Sequence, residues 1–372
     1  MRIIDSDAHI NEPMEAFEEF LDEPYRARRP HLIKDTLGLT RILLEGRLYP
    51  ETRLRQAHTD KVEGTKLGGI RRGAFDSEAR LEDLELEGID VQVIYGSLGL
   101  ALSTIEDKDF GAAMCRAAND LYAQFCSVAP DRLKCMATLP LQDIPAAVEE
   151  MRRAVRERGH TGVTLPPNVG GKNLDHPDFY PVYEEAQKLG IPMTIHWGNG
   201  AYLQAAGTER FDTHFMVHAI GHPFEQMIAL ACIVCGGVLE QFPGLRFAFL
   251  EAGCGWVPYW VDRLDEHYER RAAEMPLMKR EPSEYVTSGN CFFATEPDEE
   301  LLPAAIGSLG EDIFLYTSDY PHSDSKFPES AKCVRERTDL SDQAKEKLLC
   351  LNAARYYGLP VEQGAPPAGA RS

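Results

Sequence analysis

Eight short apolar runs punctuate the chain: Arg2–Asp7, Val91–Gly96, Leu133–Leu139, Gly162–Leu165, Pro192–His196, Arg246–Glu251, Cys291–Thr295 and Ile313–Ser318. Runs this short, rich in β-branched and aromatic residues and bounded by turn formers, predict buried strands. Longer stretches with apolar residues every three or four positions follow them and predict helices. Among these are Asp109–Val128, Ile144–Arg158, Asp178–Leu189, Pro223–Gln241, Val257–Met275 and Ser341–Tyr357. Alternating strands and helices imply a parallel sheet, and eight such units predict an α/β fold of the (β/α)8 TIM-barrel type. An open doubly wound sheet would carry a glycine-rich phosphate loop after its first strand. The sequence after Asp7 has none.

The barrel is expected to occupy residues 1–359 as one domain. Pro13–Gly73 breaks the alternation, mixing both signs of charge with scattered glycines. It reads as an insertion after the first strand, either a lid over the barrel mouth or a peripheral elaboration. Residues 360–372, rich in glycine, proline and alanine, are expected to form a disordered tail.

Four of the runs end in residues of the kind that bind metals. A strand that stops in Asp, His or Glu aims a costly group at something, and a cation satisfies several such groups at once. In the predicted barrel these are the first, fifth, sixth and eighth strands. Their polar residues fall at the C-terminal ends, where this fold builds active sites. Asp7 and His9 are two apart and so share one strand face. Glu12 follows just beyond, placed to curl back. His196 ends the fifth run, Glu251 an otherwise apolar sixth, and Asp319 the eighth. His214, His218 and His222 recur every four residues and share a face if helical. Pro223 argues instead that His222 precedes the helix, with the proline at its first position.

The expected metal set is therefore Asp7, His9, Glu12, His196, His218, His222, Glu251 and Asp319. A catalytic zinc takes about three protein ligands plus water, so this surplus predicts two divalent ions, or one ion with the remaining groups orienting its ligands. Mixed carboxylates and imidazoles suit iron, manganese or zinc. Glu251, His218 and Asp319 are the expected proton-moving residues. Trp197, Tyr202, Trp256 and His322 are expected to contact substrate, and Arg53, Arg55, Arg71 and Arg72 offer a contact for an anionic group or lie in solvent.

Composition narrows the partners. The net charge of −20 and pI near 5.0 argue against nucleic acid, which requires a basic face. The longest apolar stretch, Met227–Leu239, is too short to span a bilayer, and strand-like sequence from Arg2 leaves no room for a leader. Nine scattered cysteines, an odd number, fit a reduced, cytoplasmic setting. Cys232 and Cys235 lie in an apolar helical run and are expected to pack in the core. The expected partner is a small molecule, and homo-oligomerisation is compatible with such a barrel.

The segments IIDSDAHINEP, HPFEQMIALACIVCGGVLEQFPGL, FLEAGCGWVPYWVDRLDEHY and YTSDYPHSD resemble the amidohydrolase-related family that includes aminocarboxymuconate semialdehyde decarboxylase. The resemblance covers roughly Met1 to Leu359 and implies a metal-dependent barrel. Decarboxylases of that family open with an HxH pair and carry a catalytic histidine at the end of the sixth strand. Asp7 and Glu251 stand at those positions here. With Glu12 and the HxxxHP segment, this variant is similar to the branch containing dinuclear non-haem iron monooxygenases, such as the diterpenoid hydroxylase of platensimycin biosynthesis. The expectation is accordingly a diiron monooxygenase that uses O2 to hydroxylate a C–H bond of a small organic acid or acyl thioester in secondary metabolism. The alternative is a metal-dependent hydrolase or decarboxylase of the amidohydrolase superfamily; a non-catalytic subunit role is the third reading.

Overall fold

A computed structural model describes residues 1–36, 38–50, 71–198, 203, 205–322 and 325–361. Its main sheet has eight parallel strands hydrogen-bonded in chain order. They are β1 (Ile4–Ile10), β2 (Val91–Gly96), β3 (Leu133–Thr138), β4 (Gly162–Leu165), β5 (Met193–Ile195), β6 (Phe247–Phe249), β7 (Cys291–Thr295) and β8 (Phe314–Tyr316). Each falls within a predicted run or overlaps it. The chain after β8 returns to β1: Asp319 N donates to the Asp7 carbonyl (3.0 Å) and His9 N to the Tyr320 carbonyl (2.6 Å). The sheet thus curls into a (β/α)8 barrel, as expected.

Helices follow the strands: α1 (Ser77–Glu87), α2 (Lys108–Cys126), α3 (Ile144–Arg158), α4 (Tyr180–Leu189), α5 (His214–Cys235), α6 (Val257–Arg271) and α7 (Leu302–Leu309). A last helical run begins at Asp342 and ends in α8 (Asn352–Tyr357). Local chemistry sets their ends. The Asp143 side chain accepts from Ala146 N (3.1 Å) to start α3, and left-handed Gly159 (φ 76°) stops it, a conformation that costs glycine least. One boundary departs from expectation. Thr213 caps α5 through Met216 N (3.4 Å), so the helix begins at His214 and Pro223 lies inside it. A proline has no N–H, so one helical bond is missing there. Residues His214–Gln241 are long and apolar enough to cross a membrane, but 61% of the apolar window is buried inside this fold.

Two apolar clusters divide the sheet. Ile3, Ile10, Phe247, Phe249 and Phe314 belong to the large cluster shared with the helices. Ile4, Val91, Val93, Tyr95, Ala248, Leu250 and Leu315 form a second cluster inside the barrel, closed by Tyr356 and Tyr357 of α8. Strict alternation from Ile4 would turn Asp7 and His9 toward the helices. The register of β1 against β2 shifts between Asp5 and Ala8. That irregularity inserts a residue and returns both side chains to the interior.

The described part of the insertion forms a three-stranded antiparallel sheet, residues 31–34, 40–44 and 47–49. In it Leu32 pairs with Ile42 and Ile42 with Tyr49.

Candidate metal centre at the barrel mouth

Asp7, His9 and His196 meet at the C-terminal end of the barrel. His9 Nε2 lies 3.4 Å from Asp7 Oδ1, and His196 Nε2 lies 3.6 Å from Asp7 Oδ2. The His9 and His196 rings meet edge-on with centroids 5.0 Å apart. Asp319 joins from the segment after β8, 3.5 Å from His9 Nε2. His322 contacts Asp319 Oδ1 through Nδ1 (2.7 Å) and stacks on His9 at 4.2 Å.

Glu251 links this group to the histidine row on α5. Its carboxylate is 3.4 Å from His196, 3.5 Å from His222 and 4.0 Å from His218. The donor atoms therefore gather into three groups, the first two sharing His9: Asp7, His9 and His196; His9, Asp319 and His322; and His218, His222 and Glu251. Each group is compact enough to share an ion.

Backbone and neighbours hold these side chains in place. Glu251 (φ 57°) and Asp319 (φ 53°) adopt left-handed backbone, which strains a residue with a Cβ and concentrates at functional positions. Gln226 of α5 donates to the carbonyls of Ile195 (3.0 Å) and Leu250 (2.9 Å), tying down the strand ends just before His196 and Glu251. His196 Nδ1 lies 3.1 Å from the Trp197 carbonyl. A carbonyl can only accept, so Nδ1 carries a proton there and Nε2 is the atom left facing Asp7. Behind the site, buried Asp5 accepts from Ser318 N (2.9 Å), Ser318 Oγ (2.6 Å) and Gln92 Nε2 (2.8 Å). Arg80 donates to Gln92 (2.8 Å) and to the His9 carbonyl (2.6 Å). This network fastens β1 to β2 and to the chain following β8.

Six buried donor atoms of the cluster make no hydrogen bond: Asp7 Oδ1, both ring nitrogens of His9 and of His222, and His196 Nε2. An unsatisfied buried polar atom costs on the order of 1–3 kcal/mol. Burial drives the His9 ring down to about 3, with the facing His322 adding to the effect. Burial also pushes His222 well below the ordinary range, helped by His218 and His196. For Asp7, burial alone would raise the carboxyl, but the rings of His196 and His9 outweigh it and hold it low. Neutral rings at His9 and His222 and an ionised Asp7 are what a divalent cation requires. By donor type, protonation and unmet bonding, these residues fit such an ion.

Other expected residues lie elsewhere. Glu12 is a correction: its oxygens accept from Leu98 N (2.9 Å), Gly99 N (3.0 Å) and Tyr122 Oη (2.6 Å). It sits past the end of β1, where the loop after β2 supplies donors, and it joins none of the three groups. Gly96 leaves room for this contact, because a Cβ there would collide with Tyr122 and Glu12. Trp256 is a second correction. Its Nε1 donates to the Gly253 carbonyl (2.9 Å) and its ring packs edge-on against Phe293 (5.8 Å), so it serves packing and is not among the described cavity-lining residues. Trp197 does line the cavity and meets the His222 ring at 4.7 Å. Tyr202, Arg53 and Arg55 lie outside the described residues. Arg71 pairs with Asp83, and Arg72 with Asp76 at 2.6 Å. His322, expected at the substrate, stands among the metal-type groups. His222, expected before the helix, is on it.

A cavity of about 700 Å³ opens onto this cluster, lined by His214, His218, Glu251, His322, Trp197 and Asn11 among others. The sequence reading missed the insertion residues Leu32, Ile42 and Tyr49 in its wall. Their signal was an alternating apolar pattern in a segment too irregular to be read as strands.

A closed parallel barrel with buried, unsatisfied imidazoles and carboxylates at its C-terminal mouth defines an enzyme of the metal-binding barrel class. The amidohydrolase family model matches residues 4–359, and the chain belongs to that family. The chain is 27% identical over 305 residues to the 2-amino-3-carboxymuconate-6-semialdehyde decarboxylase of Dictyostelium discoideum, covering 80% of this chain and 81% of that protein. It is 27% identical over 299 residues to the gamma-resorcylate decarboxylase of a Rhizobium species, covering 76% of this chain and 87% of the relative. A crystal structure of 5-carboxyvanillate decarboxylase from Novosphingobium aromaticivorans, complexed with manganese and a nitrobenzoic acid, superimposes with a TM-score of 0.70 at 21% identity, covering 96% of each chain. The Dictyostelium and Rhizobium relatives overturn the monooxygenase expectation: both are decarboxylases, which is the alternative reading. The preference for iron rested on oxygenase chemistry and falls with it.

Proposed function

We propose that this chain is a divalent-metal-dependent decarboxylase of an organic acid. The observation that carries the reading is the set of buried, unsatisfied donors on Asp7, His9, His196 and His222, in a chain with decarboxylases, alongside a hydratase, among its relatives across three quarters of its length. Asp7, His9, His196 and Asp319 would hold the ion, with His222 beside them. Manganese, present in the related structure, is the first ion to test. When bound, it would supply a Lewis-acidic charge that draws in and polarises the substrate carboxylate.

The remaining groups handle the proton. Glu251 touches three imidazoles, at 3.4, 3.5 and 4.0 Å, and lines the cavity. A proton held on this carboxylate passes to the substrate carbon as its bond to the carboxyl carbon breaks, and carbon dioxide leaves. His218 is 37% exposed at its side chain and returns a proton from solvent. His322, paired with Asp319, orients the acid, and Trp197 helps exclude water.

The test uses the full-length protein, stripped with a chelator and reloaded with manganese, zinc or iron. Carbon dioxide release and oxygen uptake are measured on hydroxybenzoic and enoic acids. The expected result is CO2 release without O2 consumption. Glu251→Gln should retain metal yet slow turnover by about 10²–10⁴-fold, the usual worth of a positioned general acid. Oxygen uptake with no CO2 would overturn the proposal.

A further inference from the structure

The cavity has walls of two kinds. One carries His218, Glu251 and His322. Another is a single rung of the insertion sheet. Leu32 pairs with Ile42, and Ile42 with Tyr49. Directly paired residues in antiparallel strands project on the same face, and all three line the cavity. The Tyr49 hydroxyl bonds to Thr104 Oγ1 (3.0 Å), so its ring is what remains for contact.

Size and charge point the same way. A volume of about 700 Å³ lies in the upper part of the ~300–1,000 Å³ range of pockets that enclose drug-sized ligands. The described lining residues include no lysine or arginine, while Glu15 and Glu251 present carboxylates. A second acid group on the substrate would meet like charge there.

Resting on the decarboxylase reading of this same site, we infer that the substrate is a monocarboxylic acid with an extended apolar body. Its carboxylate lies against the histidine and carboxylate wall, and its body lies along Leu32, Ile42 and Tyr49. The insertion sheet is then the element that selects substrate.

The experiment is a binding series on manganese-loaded full-length protein, read by calorimetry and by quenching of tryptophan fluorescence. The probes are benzoate, 4-ethyl-, 4-butyl- and 4-hexylbenzoate, and the dicarboxylate isophthalate. Affinity should rise by about fourfold per added methylene until the wall is covered, the factor expected for burying one CH2. Isophthalate should bind more weakly than benzoate. Ile42→Asp should flatten the series, and Leu32→Ala should shallow it. A flat series in the wild type, tighter binding of isophthalate, or an unchanged slope in both variants overturns the inference. CO2 release from the same acids, together with the hydroxybenzoic acids above, separates the two claims. A steep series with no CO2 from any acid overturns decarboxylation and leaves the apolar wall standing. CO2 from hydroxybenzoates with a flat series does the reverse.

Discussion

At the floor of the barrel, Tyr95, Thr194, Tyr356 and Tyr357 bond to one another at 2.9–3.1 Å. Tyr356 also donates to the Met193 carbonyl (2.8 Å) and Tyr357 to the Ser6 carbonyl (2.9 Å). At the mouth, Asp7, His9, His196 and His222 leave six buried atoms without a hydrogen bond. The layers touch, with the Tyr95 ring 5.7 Å from His196. Both bury polar groups in low dielectric, where satisfied networks rigidify and unsatisfied ones cost stability. The floor therefore reads as structure and the mouth as a place kept ready for a ligand.

The largest effect should come from breaking the floor. Tyr356→Ala removes a buried ring and a bonded hydroxyl, and should destabilise the metal-free chain by about 3–5 kcal/mol. Chemical denaturation measures this. A loss below about 1 kcal/mol would mean that α8 does not support the barrel.

Next comes filling the mouth. Manganese at a hundredfold excess over its dissociation constant should stabilise the chain by about 2.7 kcal/mol. His9→Ala should abolish most of that shift and weaken metal affinity by about a hundredfold or more, beyond the usual effect of outer partners. Thermal unfolding with and without metal, beside elemental analysis, reads both numbers. Equal shifts in the two proteins would remove His9 from the site.

A smaller effect, of opposite sign, sharpens the contrast. His222→Leu replaces two unsatisfied nitrogens with an apolar group of similar size. The metal-free variant should be more stable than wild type by about 1–2 kcal/mol, while its gain from metal shrinks. A floor residue changed this way, Tyr357→Phe, should lose stability. If both changes destabilise alike, the mouth is ordinary core.

The smallest effect is the pH dependence of that difference. His222 is held below its ordinary value of 6.5, so below that pH the unfolded chain takes up a proton that the folded chain refuses. Folded stability at this residue is thus complete above pH 6.5 and is lost as pH falls. Metal-free wild type should lose stability relative to His222→Leu below about pH 6.5, by at most about 1.4 kcal/mol per pH unit. Parallel curves would show that the ring is already charged in the fold.

Much of this was readable along the chain. The eight strands, the pairing of Asp7 with His9 and the endings in His196, Glu251 and Asp319 are local patterns. A strand period needs only its neighbours. The choice of reaction was not readable, because the same carboxylates and imidazoles suit several metals and several chemistries. Their types announce an ion without naming what it does, and the decarboxylase relatives supplied that distinction.

The sequence by itself determined the barrel, the ends of its strands and the side chains that gather there, since periodicity and burial cost are written into short segments. The tertiary structure alone decided which polar groups found partners. It turned Glu12 aside to the backbone N–H groups of Leu98 and Gly99, and it laid His322 over His9. It seated Tyr357 against Ser6, 351 positions away, and set Leu32, Ile42 and Tyr49 in one rung of the cavity wall. Each outcome is a competition among donors and surfaces distant in the chain. Such competitions are settled by packing in three dimensions.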